Sequence, residues 1–472
     1  MRAAVQSGPR RPAFLSRASL TTINPADGAR LAEYPLHTPA EVEALLAGSA
    51  RAAKAWRTTT LERRSALLRD LAAYFRDSSP MLAALACDEM GKPIREARAE
   101  VEKCAVACEY YAEHASALLA QVAVASDARE SFYAYRPLGS ILAVMPWNFP
   151  YWQVLRCAAP AVIAGNVILV KHASNVTGCA LALERAWAAC GAPEGILSAL
   201  LIEHEALADL IADPRIAAVT LTGSERAGAA VGSFAGRQLK KTVLELGGSD
   251  AFIICADADL AAAAESAVRS RFQNAGQSCI AAKRFLVDRR VASEFLTLFT
   301  ARVRALRIGL PRDEATEIGP LARHDLRDTL AEQVRRAVEA GATIHCGGAA
   351  IAGPGAYFEP TILTDVTPSM SVMREEVFGP VAPVMLTDDI EDAIEKANAS
   401  AYGLSASLWT RDLECAKRIA PRLETGGVFV NGMTKSDPRL PFGGIKRSGH
   451  GRELSAIGMH EFMNVQTVWI GG

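Results

Sequence analysis

The chain has 472 residues and a mass of 50.2 kDa, enough for roughly three domains at about 150 residues each. Its 51 Lys and Arg against 52 Asp and Glu leave a formal charge of −1, without the basic excess of a dedicated nucleic-acid binder. Half of the residues are hydrophobic and 22% are charged, which excludes disorder, collagen and coiled coil as descriptions of the whole.

Ten cysteines run from Cys87 to Cys415 with no CxxC pair. In so long a chain they read as reduced thiols in a cytoplasmic setting, not as a disulfide framework. Cys104 and Cys108 have the spacing of a ligand pair on a helix. With Val101, Tyr111 and Ala115, however, they make one apolar stripe, which predicts core. No HExxH or paired CxxC occurs, so no metal is expected. The longest apolar region, 140–170, is interrupted by Pro146, Asn148, Pro150, Arg156, Pro160 and Asn166 and is too broken for a membrane span. Arg2, Arg10, Arg11 and Arg17 precede the first acid, Asp27. This start is weakly transit-peptide-like, and a frayed terminus is the simpler reading.

Taken in chain order, Thr38-Pro39-Ala40-Glu41 is a capping box with proline at the first helical position. Amphipathic helices follow around 61–76 and 95–117. Phe132, Tyr133 and Tyr135 within 118–136 suggest a strand or hairpin. From residue 141, short apolar runs at 141–145, 167–170, 199–202, 217–221 and 242–246 alternate with helical stretches, one of them 177–190, closed by Gly191. Such alternation implies βαβ units and a parallel sheet. A second alternation gives strands at 251–254, 285–287, 381–386, 404–409 and 427–431, with helices at 389–398 and 412–420. The fold class is therefore α/β, with two sheets and two main domains.

In open parallel sheets, ligands sit beyond the carboxyl ends of the strands. Lys171 directly follows one predicted strand. Gly223 follows another and opens a helix in Gly223-Ser224-Glu225-Arg226-Ala227-Gly228. Phosphate can approach backbone N–H groups at such a start, although the run is neither GxGxxG nor a Walker A loop. Cys279 ends the polar turn Asn274-Ala275-Gly276-Gln277-Ser278, away from any apolar stripe, where a nucleophile would need an activating base. Glu245 precedes Leu246-Gly247-Gly248 at a strand end and is a candidate general base. Asn148 lies between Pro146 and Pro150, a stiffened amide suited to an oxyanion.

Together these runs resemble the aldehyde dehydrogenase superfamily from about residue 20 to the end. The matching stretches are Glu89-Met90-Gly91-Lys92-Pro93, Pro146-Trp147-Asn148-Phe149-Pro150, Leu221-Thr222-Gly223-Ser224, Glu245-Leu246-Gly247-Gly248, Gly276-Gln277-Ser278-Cys279, Glu375-Glu376-Val377-Phe378-Gly379-Pro380 and Pro441-Phe442-Gly443-Gly444-Ile445-Lys446. The resemblance implies a Rossmann-type cofactor domain (1–117 and 137–247), an α/β catalytic domain (248–445) and a β-hairpin oligomerisation extension (118–136 and 456–472) in a homodimer or homotetramer. It implies Cys279 as nucleophile, Glu245 as the base for water, and Asn148 with the Cys279 N–H as oxyanion donors. NAD or NADP would be held by Trp147, Lys171, Ser174, Gly223, Ser224, Gly228, Leu246, Glu376 and Phe378.

The chain is most similar to bacterial NAD(P)-dependent succinate semialdehyde dehydrogenases, through 138–156, Lys171-His172-Ala173-Ser174-Asn175 and Ser436-Asp437-Pro438-Arg439. That similarity implies a small-molecule substrate whose distal carboxylate meets Arg156, Ser436 and Arg439. Arg156 has the alternative of a structural pair with a neighbouring acid. The sequence departs from the pattern at Gln273, where many of these enzymes carry a second arginine. Ala281 excludes a local disulfide with Cys279. Ser174 stands where NAD-preferring relatives often have glutamate, so tolerance of NADP is expected. Glutarate semialdehyde or an aliphatic aldehyde such as butanal are alternative substrates. CoA-acylating and non-catalytic branches are disfavoured by the presence of Glu245 and Cys279.

Overall fold

The computed structural model describes residues 18–471. The basic run through Arg2, Arg10, Arg11 and Arg17 lies outside them. The first predicted helix is Pro39–Trp56. The Thr38 hydroxyl accepts from the Glu41 N–H at 3.2 Å and the Glu41 carboxylate accepts from the Thr38 N–H at 2.6 Å, the reciprocal bonds of a capping box. Helices Leu61–Asp77 and Ile94–Leu118 follow within a residue or two of expectation. On the latter, Val101, Cys104, Cys108, Tyr111 and Ala115 are all buried, as a core stripe requires. All ten cysteines are free thiols. Among the described residues no cluster could hold a metal ion, and no helix is long and apolar enough to cross a membrane.

The first sheet contains five parallel strands in the order Lys241–Glu245, Ile216–Thr222, Ser140–Met145, Val167–His172, Leu197–Ala199. The chain starts in the middle, runs out one way, then returns to fill the other side. The reversal lies between Ser140–Met145 and Ile216–Thr222, and a crevice for ligand opens at the carboxyl ends of such a pair. Ser140–Met145 and Val167–His172 are buried along their whole length, as expected for parallel strands covered on both faces. Each strand lies within a few residues of its expected bounds, and two of the differences stand out. The strand expected at 199–202 is Leu197–Ala199, and Lys171 lies within its strand instead of after it.

The second sheet runs Thr343–Cys346, Thr361–Thr364, Val381–Thr387, Ala282–Asp288, Asp250–Ile254, Ser405–Trp409, Gly427–Val430, and only its first pair is antiparallel. Its two outer strands, Thr343–Cys346 and Thr361–Thr364, escaped the pattern reading. Each has only four residues, and the first is largely exposed, so neither shows a long apolar run.

The aromatic stretch forms the strand Glu130–Pro137, paired antiparallel with Met463–Ile470 from Met463 opposite Pro137 to Ile470 opposite Glu130. Val465, Trp469 and Ile470 are exposed on that ribbon. Just before it, Gly449–His450 adds antiparallel to the edge strand Lys241–Glu245. Residues 449 and 450 therefore close the first sheet beside Glu245.

Candidate active site

Cys279 follows a strained turn. Asn274 and Ala275 sit at φ 54° and 51°, a region costly for residues with a Cβ. The strain is held from several sides. Glu96 accepts from the Asn274 N–H at 2.7 Å, Arg271 donates to the Gly276 carbonyl at 3.0 Å, and the Asn274 amide donates to the Asn148 and Gln277 carbonyls at 2.8 and 3.2 Å. Lys283, fully buried, donates to the Cys279 carbonyl at 2.9 Å, to Gly248 at 2.8 Å and to Glu376 at 2.5 Å. Burial pushes the Cys279 thiol up to about 12, while Arg156 and Lys283 pull it back. Gly248 is required here, because a Cβ on it would lie 2.6 Å from the Cys279 carbonyl.

Asn148 reaches the same turn. Its Nδ2 donates to the Gln277 carbonyl at 3.1 Å and its Oδ1 accepts from Gln153 at 3.2 Å. One amide N–H remains to donate. The loop that carries it is tied to the first sheet by His172. The Ala173 N–H donates to Nδ1 at 2.9 Å, so Nε2–H donates to the Pro150 carbonyl at 2.8 Å. Burial holds His172 down at about 4, hence neutral. Among the described residues, no acceptor takes the backbone N–H of Cys279. Two donors are therefore available beside one thiol.

Glu245 ends its strand with both carboxylate oxygens buried and without a hydrogen-bond partner. Burial drives its carboxyl far above the ordinary range, opposed by Arg156. A Cβ on Gly443, a residue of the Cys279 cavity, would lie 2.6 Å from Glu245 Oε1. Only a glycine there lets the acid approach the cavity.

Several of the residues expected to hold a cofactor lie at the carboxyl ends of the first sheet's strands, while Glu376 and Phe378 come from the second sheet's segment. Ser224 caps the helix Glu225–Arg237 and accepts from the Ala227 N–H at 3.3 Å. The Gly223 N–H donates to the Glu245 carbonyl at 3.0 Å. Gly228 is packed so tightly that a Cβ would meet Leu246 Cδ2 at 2.4 Å. The Lys171 side chain is buried and makes no hydrogen bond or ion pair among the described residues, with the Glu205 carboxylate as its electrostatic neighbour. Burial lowers it to about 8. Ser174 starts the next turn, Ser174–Val176. Trp147 and Phe378 meet edge to face at 5.8 Å, and Glu376 accepts from the Gly248 N–H at 3.0 Å. A buried cation whose side chain makes no hydrogen bond, at the carboxyl end of one strand, and the helix start that follows another fit an anionic dinucleotide.

On the substrate side, a cavity of about 1090 Å³ is lined by Cys279, Arg156, Gln273, Trp152, Ser436 and Lys103, among others. Arg156 reaches it already engaged. It is ion-paired with the buried Glu453 and donates to Thr222 at 3.2 Å, which is the alternative its sequence allowed. The expectation for Arg439 is corrected. Its guanidinium folds back onto both oxygens of Asp437 at 2.8 and 2.6 Å, is 70% exposed and does not line the cavity. A bidentate pair two residues away is a nearer partner than any ligand. Ser436 does line the cavity. Sequence reading missed Lys103, Lys283 and Glu453. The one signal for Lys103 was a lysine bordering a helix stripe otherwise read as core.

Residues 14–468 match the model of the aldehyde dehydrogenase family. A succinate semialdehyde dehydrogenase (NAD(P)+) of Escherichia coli strain K12 is 49% identical over 448 residues, spanning 95% of this chain and 97% of that protein. A succinate-semialdehyde dehydrogenase (NADP+) of Mycobacterium tuberculosis strain H37Rv is 48% identical over 454 residues, 96% of this chain and 99% of that one. The crystal structure of succinic semialdehyde dehydrogenase from Streptococcus pyogenes in complex with NADP+ superposes with a TM-score of 0.94 at 38% identity, covering 96% of this chain and all of that one. With its two sheets, its Cys279 turn and a match over nearly the whole length, the chain belongs to the aldehyde dehydrogenase family.

Proposed function

We propose that the chain oxidises succinate semialdehyde to succinate with NADP+ or NAD+. The observation that carries the reading is the convergence on the Cys279 turn of a free amide N–H from Asn148, a free backbone N–H and a partnerless Glu245 carboxyl. Relatives near half identity that bear the succinate semialdehyde name support the choice of substrate.

Cys279 gives its proton to solvent and attacks the aldehyde carbon as thiolate, and a C–S bond forms while the carbonyl oxygen takes the negative charge. The Asn148 Nδ2–H and the Cys279 N–H donate to that oxygen, a pairing worth several kcal/mol in a water-poor site. A bound nicotinamide would supply the hydride acceptor, and loss of hydride from the adduct would leave a thioester on Cys279. Glu245 then takes a proton from water, the hydroxide adds to the acyl carbon, and the Cys279 thiolate leaves with release of the carboxylate. Trp147, Leu246 and Phe378 would flank the nicotinamide, and Glu376 would hold its ribose. Lys171 and Ser174 would hold the adenosine ribose, and Gly223, Ser224 and Gly228 would hold the pyrophosphate. Ser174 carries no charge to repel a 2′-phosphate, which supports use of NADP.

The strands from 137 to 247 bind the cofactor and 248–445 carries the nucleophile. The exposed Val465, Trp469 and Ile470 on an open strand support pairing between copies through the extension, in a homodimer or homotetramer. Ten free thiols support a cytoplasmic setting.

The test is kcat/KM for succinate semialdehyde and for butanal, each with NAD and NADP. A preference of roughly a hundredfold for the semialdehyde, about 2.7 kcal/mol, supports the substrate. Equal or better use of butanal overturns it. Acyl-CoA formation on adding CoA would overturn hydrolysis by Glu245.

A further inference from the structure

Four cations line the Cys279 cavity; Arg269 and Lys435 are solvent-exposed, and the other two, Arg156 and Lys103, are not equivalent. Arg156 is charge-balanced by Glu453, with both side chains buried. Lys103, on the helix Ile94–Leu118, has no ion pair with any carboxylate among the described residues. Glu100, one turn earlier, is committed elsewhere. It pairs with Lys92 and accepts from the Tyr151 and Trp152 N–H groups at 2.8 and 3.0 Å.

The Lys103 ammonium has a built seat. It donates to Ser436 Oγ at 2.6 Å and lies 4.2 Å from the centre of the Trp152 ring. Trp152 Nε1 also donates to Ser436 Oγ, at 3.2 Å. With both hydroxyl lone pairs taken, the Ser436 O–H hydrogen is left to donate, and Lys103 keeps two further N–H donors. Three donors therefore face an open cavity that also holds the nucleophile. A cation withdrawn from water without an anion is costly, and a ligand anion offsets that cost.

We propose that Lys103, with the Ser436 hydroxyl, is the specificity-determining pair that takes the distal carboxylate of the substrate. The inference rests on the reading of the substrate as a semialdehyde acid. It replaces Arg156 and Arg439 as anchors, since each of those already holds a protein carboxylate. Burial and the nearby Arg156 lower Lys103 to about 8, and a carboxylate bound beside it would raise it again.

The experiment measures kcat/KM for succinate semialdehyde and butanal with the full-length wild type, K103M and K103R, and inhibition by succinate and by butyrate. In K103M the preference for the semialdehyde over butanal falls roughly ten- to a hundredfold, the usual worth of a charge-assisted bond. Succinate inhibition weakens in step, butyrate inhibition does not, and K103R recovers part of the preference. A K103M preference equal to that of the wild type overturns the inference and leaves the substrate reading standing. No preference in the wild type itself overturns the substrate reading first. If K103M loses both activities, the succinate-to-butyrate inhibition ratio of K103R decides, and an unchanged ratio with succinate binding intact in K103M overturns the anchor.

Discussion

Arg156 and Glu453 form an ion pair in which each side chain is only 2% exposed. Glu245 shares the same electrostatic neighbourhood, so one guanidinium serves two buried acids. Arg156 also stacks on the Phe442 ring at 4.7 Å.

Breaking that pair on one side strands a buried charge. Arg156→Ala and Glu453→Ala are each expected to cost about 3–5 kcal/mol of stability. Both should impair succinate semialdehyde and butanal alike. Urea unfolding and kcat/KM for the two substrates check this. Selective loss of the semialdehyde in Arg156→Ala would return that residue to the role of anchor.

Cys279→Ala should abolish turnover. Glu245→Gln should keep the first hydride transfer and lose hydrolysis, giving a stoichiometric burst of reduced cofactor without steady turnover in a stopped-flow trace. Absence of the burst would mean that Glu245 also takes the thiol proton.

The Glu245 carboxyl is held protonated by burial well above its unfolded range. Its base function is therefore absent at low pH, and the hydrolytic rate should climb as pH rises through the raised value. Stability moves the other way. The folded state holds the proton more tightly than the unfolded state, so the contribution is complete below the unfolded carboxyl range, near 4.5, and declines as pH rises towards the folded value. Glu245→Gln should remove that decline, so its Tm should exceed that of the wild type at pH 8 and match it near pH 4.

Asn148→Ala removes one oxyanion donor and should lower kcat by roughly 10²–10³, about 2.7–4 kcal/mol, with a smaller change in KM. Steady-state kinetics with either substrate tests it.

Ser174→Glu places an acid where the adenosine ribose is expected. It should raise KM for NADP roughly ten- to a hundredfold and spare NAD, through repulsion of the 2′-phosphate and bonding of the 2′-hydroxyl. Equal effects on both cofactors would remove Ser174 from that contact.

Much of this was legible from local pattern. The apolar runs of the parallel strands and the capping box at Thr38 are properties of short stretches, and their positions held within a few residues. Lys171 was seen at its strand end because a cation after four apolar residues is conspicuous. Pairings over long distance were not legible. Nothing near Arg156 in sequence announces Glu453, almost 300 residues later, and nothing near Arg439 says that Asp437 is its partner instead of a ligand. Lys103 was hidden by its surroundings, since its helix reads as core and its exposure to a cavity depends on Ser436 and Trp152 arriving from elsewhere.

The antiparallel addition of Gly449–His450 to Lys241–Glu245 has a consequence for the order of events during synthesis. Glu245 leaves the ribosome long before the residues that wall it in, including Gly443 and Glu453. Domains of a growing chain fold largely as they emerge. The first sheet can therefore form early, yet its acid lacks this enclosure until residues 442–453 have been made. A nascent or truncated chain ending before residue 442 would carry the thiol and the carboxylate without the enclosure that tunes them. Enclosure of the reactive centre therefore waits for residues 442–453 to emerge.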